Sequence, residues 1–293
     1  MNRIVVTGAA GLVGHRLMQQ LQEKGEVFGF YHCARPEITP GSWQSVDLQK
    51  REEVHQALDG IRPAILIHCA ASCQPVHCEK YPMETLAVNY GGTLHLAEWA
   101  AEHSCFFLHV STDLVFDGTR GHYSEQDAVR PISVYGWSKL AAEEAVRSHG
   151  GEWCIARTAL VFGRSRGGNR GADELLVQSW KQGKTTPLFQ DEYRTPTSVG
   201  ELAEKLIEVA DERITGLVHI AGSECLSRYE FGCKIAGHFG FPPSLLSARK
   251  IEDVVSVPPR APNVSMNITK ARALFRSPFR SIEENLRREH PAP

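Results

Sequence analysis

An apolar run, Ile4-Val5-Val6, leads straight into Thr7-Gly8-Ala9-Ala10-Gly11-Leu12-Val13-Gly14 and then into an amphipathic stretch that predicts a helix over Leu12–Lys24. A glycine turn set between a strand and a helix constrains the fold more than any other feature of this chain. Glycines permit a tight turn and close approach to the backbone. The helix start behind them offers free N–H groups and the positive end of a dipole. A glycine triplet alone is weak evidence; at a strand–helix junction it predicts that Gly8, Ala10, Gly11, Leu12, Val13 and Gly14 receive a dinucleotide pyrophosphate. Because the first apolar run goes directly into this turn, the N-terminus reads as a strand and not as a secretory leader.

Downstream, strands and helices alternate. Strands are expected at Val27–Tyr31, Ala64–Cys69, Cys105–Val110 and Trp153–Arg157. Between them lie helical patterns at Arg51–Leu58, Met83–Glu102 and Trp137–Ser148. Continuous apolar strands separated by helices imply a parallel sheet covered on both faces, the α/β doubly wound, Rossmann-like architecture. After Gly163 the rhythm breaks into a glycine- and arginine-rich loop, residues 163–171 (GRSRGGNRG). A helix at Val199–Ala210 then leads to a further strand at Gly216–Ile220, and the last stretch carries two proline pairs. The expected organisation is an NAD(P)-binding domain over residues 1–162, whose sheet also takes residues 216–221, and a small interleaved C-terminal α/β lobe over most of residues 163–293 that binds substrate.

Composition narrows the partners. With 42% hydrophobic residues a sizeable core can form, and a net charge of -2 with interspersed signs argues against nucleic acid or an anionic membrane. No apolar run approaches the roughly 20 residues that span a bilayer. Cys69, Cys73 and Cys78 cluster with His68 and His77, but their spacing matches no zinc pattern, so they read as structural or free thiols and no metal is expected. Eight cysteines without a leader point to a reducing cytoplasm.

Cofactor choice turns on the end of the second strand, Phe30-Tyr31-His32-Cys33-Ala34-Arg35, where no acid appears until Glu37. An acid there would bind the ribose hydroxyls of NAD and repel the extra phosphate of NADP. His32 and Arg35 are placed to face a 2′-phosphate, which favours NADP, with NAD still open; Arg35 reads equally well as a solvated loop cation. Asp47 and Leu48 follow in the segment where side chains can meet the adenine ring.

Ser111-Thr112-Asp113 ends an apolar strand, and in an open parallel sheet ligands bind beyond such strand ends. Tyr135 and Lys139 stand four residues apart, on one face if the helix has begun by Tyr135. A free phenol is a poor acid or base at neutral pH. A nearby ammonium is expected to lower its pKa and make it a usable proton donor and acceptor. Thr112 can hold and polarise a substrate oxygen.

Taken together, these motifs resemble the extended short-chain dehydrogenase/reductases, and within them the dTDP-4-dehydrorhamnose reductase-like branch. The likeness runs through the glycine turn, His68-Cys69-Ala70-Ala71, Asn89, Ser111-Thr112-Asp113-Leu114-Val115-Phe116-Asp117-Gly118, Tyr135-Gly136-Trp137-Ser138-Lys139, Arg194-Thr195-Pro196-Thr197 and Arg260-Ala261-Pro262-Asn263. It implies that Tyr135 donates the proton, Lys139 binds the nicotinamide ribose and Thr112 assists. It implies that Cys69, Ala70, Ala71 and Asn89 line the cofactor site. Asp113, Arg194 and Arg260 would face a nucleotide-sugar substrate, since an arginine fork pairs well with phosphate; Arg260 reads as readily as an ordinary loop arginine.

Related 4,6-dehydratases carry Thr-Asp-Glu where this chain has Thr112-Asp113-Leu114, and leucine cannot act as acid or base. A keto-sugar reductase therefore fits best, taking a nucleotide-linked 4-keto-6-deoxy sugar. Residues 163–191 depart from the branch's pattern. Two other functions stay open. The chain is similar to the regulatory β subunit of methionine adenosyltransferase, which binds a partner enzyme, notably over Phe30 to Pro36. It can also be a reductase of a carbonyl compound without a nucleotide. The helices at Met83–Glu102 and Trp137–Ser148 are of the kind that such folds use to form a homodimer.

Overall fold

The computed structural model describes residues 3–32 and 41–291. Arg35, Glu37 and most of the Phe30 to Pro36 stretch therefore lie outside the described residues. Among the described residues a seven-stranded parallel sheet forms the centre. Its strands are β1 (Arg3–Thr7), β2 (Glu26–Tyr31), β3 (Ser42–Ser45), β4 (Ile65–His68), β5 (Phe106–Thr112), β6 (Trp153–Thr158) and, after four short strands of the lobe, β11 (Gly216–Ile220). They lie in the order β11-β6-β5-β4-β1-β2-β3. The chain runs outward from β1 through β2 to β3, then crosses back to place β4 on the other side of β1. This reversal makes the crevice above β1 and β4 the expected ligand site of a doubly wound sheet.

Side-chain alternation explains why both faces are covered. Ile4 and Val6, Ile65 and Ile67, and Phe106 and Leu108 enter one core, under α1 (Leu12–Gln20) and α8 (Val199–Glu212). Val5, Leu66, Phe107 and Ile155 enter the other, under α2 (Arg51–Ile61), α5 (Gly92–Glu102) and α6 (Val134–Ser148). Each such side chain taken fully from water contributes roughly 1.5–3 kcal/mol. A third core belongs to the lobe, where Phe162, Trp180, Phe231, Ile235 and Leu286 meet. They come from β7 (Val161–Phe162), α7 (Ala172–Lys181), α9 (Arg228–Phe239) and α11 (Ile282–Glu289).

The doubly wound reading of the sequence holds, with local differences. The first helix stops at Gln20, because Gly25 and the strand beginning at Glu26 require a turn. The expected long helix starts with α4 (Pro82–Leu86), passes through a π-helical turn at Ala87–Gly91 and continues as α5. Helix α6 begins at Val134 and not at Trp137, because Ser133 caps it by accepting a hydrogen bond from Gly136 N at 3.1 Å. Strand β3 and helix α3 (Pro75–Lys80) have no apolar run or clear period, so the sequence pattern does not announce them. No helix among the described residues is long and apolar enough to cross a membrane.

Candidate active site

The glycine turn and the segment after β4 are pressed together. Gly8 has φ +63°, and a Cβ there would stand 2.6 Å from Ala70 N. Only glycine fits both demands. The Thr7 hydroxyl receives Ala70 N at 3.4 Å, and Cys69 N donates to the Thr7 carbonyl at 3.3 Å. Thr7 and Gly8 thus bring the glycine turn against Cys69 and Ala70 at the switch point, and Gly11 and Gly14 pack back on Gly8. The N–H groups of Leu12, Val13 and Gly14 open α1 with no intrahelical carbonyl to pair with, and no side chain caps them. This is a cradle of donors that fits a pyrophosphate.

His32 is exposed beyond β2, its carbonyl 3.5 Å from Ser45 Oγ. The Asp47 carboxylate accepts Gln49 N at 3.1 Å, capping its own turn, and Leu48 packs over Gly92.

Thr112, Asp113 and Tyr135 come together at the carboxyl end of β5. A Cβ on Gly136 would fall 2.3 Å from the Leu114 carbonyl, so glycine there lets the start of α6 close onto the chain leaving β5. Tyr135 sits in the first turn of α6 with Lys139 one turn on. The Thr112 hydroxyl donates to Asp113 Oδ1 at 3.1 Å and accepts Leu114 N at 3.2 Å. The phenol differs from the sequence expectation. Burial raises the Tyr135 pKa above its ordinary value, and the Thr112 hydroxyl only partly opposes this. Lys139 directs its ammonium elsewhere: Nζ donates to His109 Nε2 at 3.0 Å in the buried sheet. Burial lowers Lys139 to about 8, against the opposing charges of Glu143, Cys69 and Cys73. Burial and the neighbouring Lys139 hold His109 well below the usual histidine range, so it stays neutral and able to accept.

Behind these residues runs a buried hydrogen-bond chain. The Thr7 hydroxyl meets His68 Nδ1 at 2.6 Å, and His68 Nε2 lies 2.9 Å from Thr93 Oγ1. Thr93 donates to the Asn89 carbonyl at 2.6 Å, so it receives the His68 Nε2–H and leaves Nδ1 to accept from Thr7. Asn89, in the π-helical turn, uses its whole amide. It donates to Ser138 Oγ and to the Ser72 carbonyl, each at 2.9 Å, and accepts Ser72 N at 2.7 Å. Ser138 in turn donates to the Tyr135 carbonyl at 2.7 Å. One network therefore joins the glycine turn to the helix that carries Tyr135.

On the lobe side, Asp113 is 4% exposed, and its Oδ2 has no hydrogen-bond partner among the described residues. Burial pushes it up to about 6, against the pull of Arg194 and Thr112. The Arg194 fork is engaged, donating to the Tyr193 and Ala261 carbonyls at 2.7 and 3.1 Å and to Glu192 at 2.9 Å, with Nε 4.0 Å from Asp113 Oδ2. Arg260 reaches Glu192 at 3.0 Å and lies 4.4 Å over the Phe189 ring, with much of its side chain exposed. Arg228, at the start of α9, completes the group. Burial and the charges of Arg194 and Arg260 lower its pKa, with Glu192 opposing.

Sequence reasoning missed His109, Ser138, Glu192 and Arg228. A signal existed for the histidines: Thr7, His68 and His109 are register partners across β1, β4 and β5, three polar groups in one row of an apolar sheet. Arg228 and Glu192 had none, since they meet through two-residue strands without periodicity.

Residues 1–290 match the model of the RmlD substrate binding domain. This chain belongs to that family. A relative from Haloferax volcanii, named "Probable low-salt glycan biosynthesis reductase Agl14", is 35% identical over 85% of this chain and 84% of its own length. Methionine adenosyltransferase 2 subunit beta of Mus musculus is 30% identical over 97% of this chain and 87% of its own. Among solved structures, dTDP-4-dehydrorhamnose reductase from Bacillus anthracis in complex with NADP superposes with a TM-score of 0.85 at 25% identity, covering 98% of each chain. The RmlD-like resemblance read from the motifs is thereby established.

Proposed function

We propose that this chain is an NAD(P)H-dependent reductase of a nucleotide-linked 4-keto-6-deoxy sugar. The observation that carries this reading is the Tyr135 phenol beside the Thr112 hydroxyl at the carboxyl end of β5, with Lys139 one turn further along α6, next to a glycine turn at the switch point of the sheet. NADPH is the favoured cofactor, supported by the absence of an acid after β2 and by the NADP complex of the Bacillus anthracis relative. When bound, the nicotinamide supplies a hydride to the keto carbon. Gly8 through Gly14 hold the pyrophosphate, and Cys69, Ala70 and Ala71 line the opposite wall. Tyr135 donates its phenolic proton to the developing alkoxide, a role that suits a phenol kept protonated by burial. Lys139, still charged at neutral pH and held by His109, would turn its remaining N–H groups to the cofactor ribose. The free Asp113 oxygen can accept a sugar hydroxyl. Arg228 and Arg260 face the substrate diphosphate, and Arg194 braces Asp113 and Glu192 from behind.

The likeness to methionine adenosyltransferase 2 subunit beta over nearly the whole chain supports a second reading, a nucleotide-binding regulatory subunit. Following NADPH and NADH oxidation with a dTDP-4-keto-6-deoxy-hexose separates the two. Sugar-dependent oxidation supports the reductase and reports the cofactor preference. Tight NADPH binding with no oxidation favours the regulatory reading.

A further inference from the structure

The loop over residues 163–171 lies between β7 and α7 and forms no strand or helix, yet it is tightly held. Glu174, 8% exposed, gathers it: one carboxylate oxygen accepts Ser165 N at 2.7 Å, and the other accepts Ser165 Oγ at 2.5 Å, Arg170 N at 3.0 Å and Gly171 N at 2.9 Å. Asp173 accepts Gly163 N at 2.8 Å, and Gln178 donates to the Gly168 carbonyl at 2.5 Å. So arranged, the loop sends Arg170 across to the glycine turn, where Nη1 donates to the Ala10 carbonyl at 2.9 Å.

Electrostatics make this placement informative. Burial, then the charges of Arg166, Arg16 and Arg170, lowers the pKa of His15 in the first turn of α1, and the charge of Arg170 also reaches Cys73 near Tyr135. A helix start is already the positive end of a dipole, where acids are favoured and cations are not. Helix α1 has no acid in its first turn. Arg16 is paired with Glu289 at 2.6 Å, but among the described residues no carboxylate pairs with Arg166 or Arg170. Arg166 and Arg170 are exposed, and Arg170 rests on the Ala10 carbonyl, which puts positive charge beside the open helix start.

We propose that the 163–171 loop is a phosphate clamp, in which Arg170, backed by Arg166, closes over the glycine turn and binds the pyrophosphate of the dinucleotide. This rests on the cofactor reading above and adds a binding element from the lobe. Glu174 is its positioning residue.

Calorimetric titration with three probes tests it: NADPH, ADP-ribose, which has the pyrophosphate but no 2′-phosphate, and adenosine 2′-phosphate, which has the reverse. Arg170→Ala is expected to weaken NADPH and ADP-ribose by about tenfold, the scale of one charge-assisted hydrogen bond, and to leave adenosine 2′-phosphate unchanged. Glu174→Ala should weaken ADP-ribose by a similar factor, with little further loss in the double variant, because the two residues act as one device. If wild type binds all three and Arg170→Ala binds them equally well, the clamp is wrong while the cofactor reading stands. A loss confined to adenosine 2′-phosphate would assign Arg170 to the other phosphate and overturn the clamp. If wild type binds neither NADPH nor ADP-ribose, both readings fall together.

Discussion

In the proposed reaction Tyr135 is the proton donor. Tyr135→Phe keeps the ring and removes the proton, so turnover is expected to fall by roughly 10²–10⁴-fold, the range for a general acid, while NADPH affinity stays within about twofold by titration. An active Phe variant would remove Tyr135 from the mechanism. Lys139 gives a second prediction. Its folded pKa stands at about 8, below the ordinary lysine value, so the ammonium is present below that pH and lost above it. The groups around it are His109 and His68 on the sheet, Cys69 and Cys73 after β4, and Glu143 on its own helix. If the charge serves catalysis, kcat/KM falls as pH rises through about 8. His109→Leu removes the acceptor at 3.0 Å and is expected to shift that fall to lower pH; His109→Gln, which can still accept, should restore it in part. A pH profile identical in all three proteins would show that His109 only fills space. The four-residue spacing of Tyr135 and Lys139 made their shared helix face legible in the sequence. The lysine's partner was not legible, because His109 lies 30 residues away and meets it only through the packing of α6 on β5.

At the scale of elements, the glycine turn and α6 show how local signals become geometry. The strand–glycine–helix order was readable from residue types alone, since few backbones can make that turn. The Ser133 cap starts α6 about one turn before the apolar pattern does, and the π-helical turn at Ala87–Gly91 changes the helical period without an unusual composition. That turn matters, because it carries Asn89 into the network of Ser72 and Ser138. Gly8→Ala tests the turn itself. A residue with a Cβ at φ +63° costs about 1–2 kcal/mol, and here the Cβ also meets Ala70 N at 2.6 Å. The two walls of the cradle must then part. We expect a protein that still folds, with a lower melting temperature, and loses most of its NADPH affinity. Unchanged affinity would mean that the turn does not hold the cofactor.

Across the whole molecule, the parallel sheet was legible because its strands are apolar runs at regular intervals, whereas the lobe was less so, because several of its strands are only two residues long and carry no period. What joins lobe and sheet is legible only in three dimensions. Glu289, at the end of α11 and 4% exposed, accepts Arg16 from α1 at 2.6 Å, Gly200 N from α8 at 2.8 Å and Arg164 N from the basic loop at 3.3 Å. Beside it, His290 meets the Asp173 carboxylate at 2.6 Å. One buried carboxylate therefore binds an element on the sheet, the start of another and the loop that reaches the glycine turn. Removing it leaves a partly buried guanidinium and two N–H groups without their acceptor, so Glu289→Ala is expected to cost roughly 3 kcal/mol, read as a lower urea midpoint. The shape of the transition is the sharper measurement. If Glu289 is the seam, lobe and sheet lose their coupling and unfolding splits into two steps, seen as different midpoints for near-ultraviolet and far-ultraviolet circular dichroism. A single coincident transition, merely shifted, would mean that the shared apolar packing holds the two parts together and that Glu289 contributes stability without joining them.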